Sequence, residues 1–187
     1  MHERAESRRP EGLGPVTLDQ REFEDFLQDH RGIVFKIANT YCPEGEERDD
    51  LVQEICLQLW RSYASYDVRR RFSTWMYRVA LNTAISFARG ARARQRRIVP
   101  LDDSGAGARA AAVPPREEDE RVARLYRFLH GLGELDRALV LLYLEERTYR
   151  EIADVLGLSE TNVGTKINRL KQMMRRDIAS DVENAHG

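Results

Sequence analysis

The run Thr148-Tyr149-Arg150-Glu151-Ile152-Ala153-Asp154-Val155-Leu156-Gly157-Leu158-Ser159-Glu160-Thr161-Asn162-Val163 has the spacing of a helix-turn-helix unit. Ile152, Ala153 and Leu156 fall on one face of a short helix, and Ala153 is small enough for a second helix to cross close by. Gly157 supplies the positive φ that the turn requires, and Ser159 is placed to cap the next helix. On that helix, from about Glu160 to Arg176, Val163, Ile167, Leu170 and Met174 recur at i, i+4, i+7 and i+11 and point inward. The opposite face carries Thr161, Asn162, Thr165, Lys166 and Arg169, then Lys171, Arg175 and Arg176. Short hydrogen-bonding side chains followed by cations are what a helix needs to read base edges and hold phosphates in the major groove of duplex DNA. The competing reading is a plain helical hairpin with a solvated basic face.

Two helices precede this unit. One runs from Glu118 to Gly131 with Val122, Leu125, Tyr126 and Leu129 inward, the other from about Glu134 to Glu145 with Leu135, Ala138, Leu139, Leu142 and Tyr143 inward. Upstream, residues 100–118, PLDDSGAGARAAAVPPREE, hold three of the six prolines and read as a flexible linker. Before it the helical period returns. Phe23, Phe26, Leu27, His30, Val34, Ile37 and Tyr41 make one stripe, which Cys42-Pro43-Glu44-Gly45 breaks. A helix starting near Arg48–Asp49 buries Leu51, Val52, Ile55 and Leu59, and Ala64–Arg71 reads as a loop. A third helix starts with Ser73 as its N-cap and runs to about Arg89, with Trp75, Met76, Val79, Ala80, Thr83 and Phe87 on its inner face. No segment alternates with period two. The expected fold is all-α: a disordered tail over 1–18, a helical domain over 19–98, a linker over 99–118 and a helix-turn-helix domain over 119–187.

The 187 residues carry 30 basic and 31 acidic side chains, and the net charge of −1 gives no reason by itself to expect nucleic acid. The sum conceals a segregation. Arg61 to Val99 holds ten arginines and one acid, Asp67, whereas Val16 to Trp60 holds eleven acids and four cations. The basic block interleaves with Tyr63, Tyr66, Phe72, Trp75 and Tyr77, and arginines among aromatic rings suit a single strand held by phosphate contact and base stacking. All basic residues but Lys36, Lys166 and Lys171 are Arg, whose planar fork matches phosphate and base edges, although a GC-rich coding sequence explains the same bias. Cys42 and Cys56 have no neighbouring His and form neither a zinc site nor a disulfide framework. His2, His30, His130 and His186 are scattered, and His30 lies on an apolar stripe as a core residue would. With no phosphate loop, metal-spaced carboxylates or nucleophile motif, neither an enzyme nor a cofactor is expected. Met1 to Pro15 is charged and lacks the apolar stretch of a secretory leader, and no run approaches the roughly 18 to 20 apolar residues of a membrane span. A cytoplasmic protein without membrane insertion is expected.

In their order and spacing these segments resemble bacterial RNA polymerase sigma factors of the extracytoplasmic-function (ECF) group, over roughly residues 20–98 and 119–177. Asp49-Asp50-Leu51-Val52-Gln53-Glu54-Ile55 through Trp60 is similar to the family's core-polymerase-binding helix, and Phe72-Ser73-Thr74-Trp75-Met76-Tyr77-Arg78-Val79-Ala80-Leu81-Asn82 to its promoter-melting helix. Leu132-Gly133-Glu134-Leu135, Arg137 and Tyr149–Ile152 are similar to its C-terminal domain. The resemblance implies that Asp50, Gln53, Glu54 and Leu57 contact the clamp of the polymerase largest subunit. It assigns Tyr66, Arg70, Arg71, Trp75, Arg78, Asn82 and Arg89 to the opened −10 strand. Thr161, Asn162, Thr165, Lys166 and Arg169 fall to the −35 duplex. Core polymerase through clamp and flap, promoter DNA and an anti-sigma protein are the implied partners. Arg78, Asn82, Ser86 and Arg89 lie close to one line on their helix, so Asn82 could read a flipped base while the arginines hold phosphates.

The chain departs from the family at Gly164, where a basic residue is common, and at Asn168, where an apolar or aromatic one is common. The alternative is a free-standing helix-turn-helix regulator with residues 20–98 as a sensor or dimerisation domain. That reading gives no reason for a net charge of +9 beside aromatic rings.

Overall fold

The computed structural model describes residues 20–42, 45–98 and 117–184, and among these every regular element is a helix. Helices α1 (Gln20–Tyr41), α2 (Gly45–Ser62) and α3 (Phe72–Ile98) pack pairwise, with a 3-10 turn at Tyr63–Ser65 leading from α2 toward α3. Helices α4 (Glu117–Gly131), α5 (Glu134–Leu144), α6 (Tyr149–Leu156) and α7 (Glu160–Asn184) form a second group, in which α5 and α6 both pack on α7. The expected tail over 1–18 lies outside the described residues. So does the expected linker over 99–118, except for Glu117 and Glu118, which open α4.

The stripes of α1 and α2 become the core of the first group. Phe23, Val34, Ile37 and Tyr41 are buried, with Phe26, Leu27 and His30 half-buried beside them. His30 packs edge-on to the Phe72 ring, and its Nδ1 lies 3.0 Å from the Phe26 carbonyl oxygen, so it is a packing residue. Leu51, Ile55 and Leu59 are fully buried, and the stripe continues onto Tyr63. Helix α2 starts at Gly45, earlier than the expected Arg48–Asp49, with Glu46 and Glu47 in the first turn where the helix dipole favours carboxylates.

Helix α3 departs from expectation in three respects. It starts at Phe72, so Ser73 is buried inside the first turn and does not cap it. It passes through Gly90 to Ile98, well beyond Arg89. A glycine costs about 1 kcal/mol in a helix, but the Ala, Arg and Gln residues around it are good helix formers. Its buried face is rotated onto Phe72, Met76, Tyr77, Ala80, Leu81 and Ala84, leaving Trp75, Val79, Thr83 and Phe87 half-buried. The cause is that α3 is covered from two sides, by α1 and α2 and also by α5 and α6, which widens its buried arc.

The helix-turn-helix unit forms as read, except that its last helix continues to Asn184, beyond the expected Arg176. Helix α6 spans Tyr149–Leu156 and is opened by a capping box between Thr148 and Glu151. Gly157 closes it at φ 68°, and the Ser159 Oγ accepts the Asn162 N–H at 3.2 Å at the start of α7. Val163, Ile167 and Leu170 are buried. Two residues expected inward are not: Val122 is 53% and Tyr143 38% exposed. Helix α4 is anchored through Leu129 near its C-terminal end, and the Tyr143 ring faces outward beneath the Lys171 ammonium, 4.3 Å from its centroid. In their place Arg137 is buried, 5% exposed. Its guanidinium donates to the Leu129, His130 and Leu132 carbonyls, binding the α4–α5 turn, and to the Thr40 carbonyl at the end of α1.

Candidate nucleic-acid and polymerase interface

Three surfaces gather the residues singled out from the sequence. The first is a groove of about 700 Å³ between α2 and α3. Asp50, Gln53, Glu54 and Leu57 recur at i, i+3, i+4 and i+7, which puts them on one face of α2. Opposite them stand Asn82, Thr83, Ser86 and Phe87 of α3. Gln58 Nε2 donates to Glu54 Oε1 at 2.8 Å and fixes that carboxylate. Leu57 is 40% exposed, an apolar side chain set among carboxylates. Asn82, assigned to the −10 strand, therefore shares this groove with the residues assigned to polymerase.

The second surface is the outer line of α3 with the loop before it. Arg78, Asn82, Ser86 and Arg89 are all exposed, and among the described residues neither Arg78 nor Arg89 enters an ion pair. The loop is ordered by its own side chains. The Tyr66 hydroxyl donates to the Arg70 carbonyl at 2.7 Å. The Asp67 carboxylate accepts from the Arg69 guanidinium at 3.0 and 3.2 Å and from its backbone N–H, and these bonds hold the Asp67 carboxyl below its ordinary range. Tyr66 and Trp75 do not stand free. Their centroids lie 5.3 Å apart, and both join a ladder with Tyr63 and Phe72. Arg70 and Arg71 are exposed at the loop end, with Arg71 Nη1 3.7 Å from a Glu151 oxygen.

The third surface is the first half of α7. Thr161, Asn162 and Thr165 are exposed, and the Thr165 hydroxyl donates to the Thr161 carbonyl at 2.9 Å. Lys166 and Arg169 both reach Asp136 of α5, at 3.7 and 2.7 Å. Sequence reading missed Asp136, because the pairing crosses between helices whose relative placement no periodicity reveals. Gly164 sits against the Tyr149 ring. A Cβ there would lie 3.5 Å from that ring, an ordinary contact, so space does not demand glycine.

A fourth surface had no sequence signal. Phe128, Val140, Tyr143, Leu144, Ile167 and Leu170 line an apolar groove between α4, α5 and α7. Elsewhere, burial pushes the Cys42 and Cys56 thiols upward, and Glu47 adds to the effect at Cys42. Among the described residues no group of three His, Cys, Asp or Glu side chains could hold a metal.

These features define an all-helical, two-part protein with a helix-turn-helix and a separate basic, aromatic-backed surface. Its relatives place it further. The sigma-70 region 2 family matches residues 21–94, and the sigma-70 region 4 family matches residues 123–174. Over 171 residues the chain is 32% identical to the ECF RNA polymerase sigma-E factor of Haemophilus influenzae, covering 86% of this chain and 89% of that protein. It is 24% identical over 173 residues to the ECF RNA polymerase sigma factor SigW of Bacillus subtilis, covering 86% and 90%. Among solved structures, CnrH in complex with the cytosolic domain of CnrY matches with a TM-score of 0.64 at 21% identity, covering 88% of this chain and 92% of that one. The sigma factor RpoE in complex with the anti-sigma factor NepR, from Bartonella quintana, matches with a TM-score of 0.66 at 18% identity, covering 86% and 99%. The chain belongs to the ECF sigma factors. Its relatives span both helix groups, which leaves the free-standing regulator less supported.

Proposed function

We propose a division of labour among the surfaces of this alternative sigma factor of transcription initiation. The α2 face of Asp50, Gln53, Glu54 and Leu57 docks on a basic helix of the polymerase clamp, where exposed carboxylates around an apolar side chain give complementary charge and an anchor. The apolar groove rimmed by Tyr143 and Leu144 makes a second polymerase contact, at the flap. The loop to Arg71 and the outer line of α3 hold the opened −10 strand, with Asn82 at a base edge and Arg78 and Arg89 on phosphates. Thr161, Asn162, Thr165, Lys166 and Arg169 read the −35 duplex from the major groove. The factor binds and positions DNA in the cytoplasm, with no catalysis of its own. Among the described residues no helix is long and apolar enough to cross a membrane. Regulation by an anti-sigma protein is part of this reading, because two neighbours of the same fold were solved with CnrY and with NepR.

The observation that carries the reading is the α2–α3 groove, which joins the polymerase-facing carboxylates to Asn82 on one continuous surface. Co-elution with core polymerase tests it. Asp50→Arg with Glu54→Arg is expected to abolish co-elution while leaving the helical content unchanged. Unchanged binding would refute the docking role.

A further inference from the structure

One flank of α7 belongs neither to the core nor to the surface assigned to the −35 duplex. Gly164, Asn168, Lys171 and Arg175 recur on it at i, i+4, i+7 and i+11. Among the described residues neither Lys171 nor Arg175 enters an ion pair. Two exposed tyrosines from other helices meet this flank, Tyr149 at the start of α6 and Tyr143 near the end of α5. The Lys171 ammonium lies 4.3 Å from the centroid of the Tyr143 ring. A hydrogen bond to Tyr143 and the nearby Tyr149 hydroxyl hold that ammonium above the ordinary lysine value, so it stays a cation at neutral pH. The Cδ2–Cε2 edge of the Tyr149 ring rests against Gly164, where a Cβ would lie 3.7 and 3.5 Å from those atoms. Alanine fits that space, but a longer side chain needs the volume that the ring fills.

We propose that Tyr149 and Lys171 form a phosphate site for the DNA backbone flanking the −35 element, and that Gly164 is the positioning residue that seats the tyrosine. The inference rests on the −35 reading of α7. When the second helix of a helix-turn-helix enters the major groove, the first helix crosses the sugar-phosphate backbone. Tyr149 opens that first helix, so its hydroxyl meets the backbone with a proton to donate to a phosphate oxygen. A lysine on a helix leans toward the N-terminal end, which carries the ammonium from the level of residue 171 toward Asn168 and Gly164. A neutral donor and a cation converging from two helices suit one phosphate group. The Tyr143 ring orients the cation in advance, so less side-chain entropy is lost on binding. Lys171 also borders the apolar groove between α4, α5 and α7, which makes a carboxylate of polymerase the competing occupant. Tyr149 does not line that groove, and its place beside the first half of α7 favours DNA.

Salt titrations of holoenzyme binding to a promoter duplex, with the −35 element intact or scrambled, test the site. Lys171→Ala is expected to weaken binding about fivefold and to lower the salt slope by about 0.9, the value of one phosphate contact on duplex DNA. Tyr149→Phe keeps the ring against Gly164 and is expected to weaken binding about threefold with the slope unchanged, the loss of one neutral hydrogen bond. Both losses should be equal on intact and scrambled elements, because a phosphate carries no base identity. Gly164→Ile, whose branched side chain needs the space of the ring, is expected to bind more weakly than Gly164→Ala, by at least as much as Tyr149→Phe loses. Alanine and isoleucine are both better helix formers than glycine, so that difference reports the seat of the ring and not the stability of α7. An unchanged slope in Lys171→Ala would overturn the site, and a loss of core-polymerase binding in its place would assign Lys171 to the apolar groove. Losses confined to the intact element would make these residues base readers and overturn the site as well. Full affinity in Tyr149→Phe would remove the tyrosine from it, and equal binding by the two Gly164 variants would end the positioning role. Arg169→Ala on the same duplexes separates this inference from the reading beneath it. A response to Arg169→Ala with none to Lys171→Ala overturns the phosphate site alone, whereas no response to either refutes the −35 assignment of α7 and the site with it.

Discussion

The proposed −10 cations Arg78 and Arg89 of α3 and the proposed −35 cations Lys166 and Arg169 of α7 are held differently. On α3, Arg78 and Arg89 project outward with no carboxylate at hand among the described residues. On α7, Lys166 and Arg169 converge on Asp136, and Lys171 lies over the Tyr143 ring. Under the proposed function the contrast matches the two forms of DNA. A duplex is a rigid target whose base edges occupy fixed positions, so side chains oriented in advance lose less entropy on binding. A melted strand adapts its backbone to the protein, so unpaired arginines beside aromatic rings suffice to track it.

The strongest way to break this contrast is to remove the support beneath α5. Arg137→Ala removes the guanidinium donor from four carbonyls and is expected to cost about 3 kcal/mol, read from urea unfolding. Asp136 follows the displaced helix, so −35 binding should fail before −10 binding. Next in size, Arg78→Ala with Arg89→Ala is expected to weaken holoenzyme binding to the −10 strand about tenfold and to lower the salt slope by about 0.7 for each phosphate left without its cation. An unchanged slope would place those arginines away from the phosphates. Thr165→Ala with Lys166→Ala is expected to reduce −35 affinity about fivefold at fixed salt, with loss of base preference. Persistence of both would mean that another face of α7 reads the DNA. The smallest effect belongs to Asp136→Asn. Two cations released from their carboxylate should bind non-cognate duplex about twofold more tightly while discrimination falls, a signature of lost orientation. Improved discrimination would contradict the role given to Asp136.

Much of this architecture could be read from the chain because periodicity and turn chemistry are local. The α1 stripe through Val34, Ile37 and Tyr41, the α2 stripe through Leu51, Ile55 and Leu59, and the Gly157 turn each follow from neighbours within a few residues. The misreadings share a non-local cause. Tyr77 and Leu81 are buried because α3 is covered from two sides, and Val122 is exposed because α4 is anchored near its other end. Arg137 carries a charge that marks it as a surface residue in sequence, yet its hydrogen-bond partners are backbone carbonyls, which leave no trace in residue type. The functional surfaces divide in the same way. The rows on α2, α3 and α7 are spacing patterns within single helices. The clamp at Asp136, the tyrosines beside Lys171 and the apolar groove beside Tyr143 exist only once helices from distant parts of the chain meet.

The central claim is that both DNA surfaces act through polymerase. It is tested most directly by binding and permanganate footprinting on a promoter selected from a random pool by the reconstituted holoenzyme. The isolated chain is predicted to bind that promoter weakly, with strong salt dependence and no melted thymines. Adding core polymerase should produce specific binding, protection at −35 and permanganate reactivity around −10. Tight, sequence-specific binding by the chain alone, unchanged when core polymerase is added, would contradict the account.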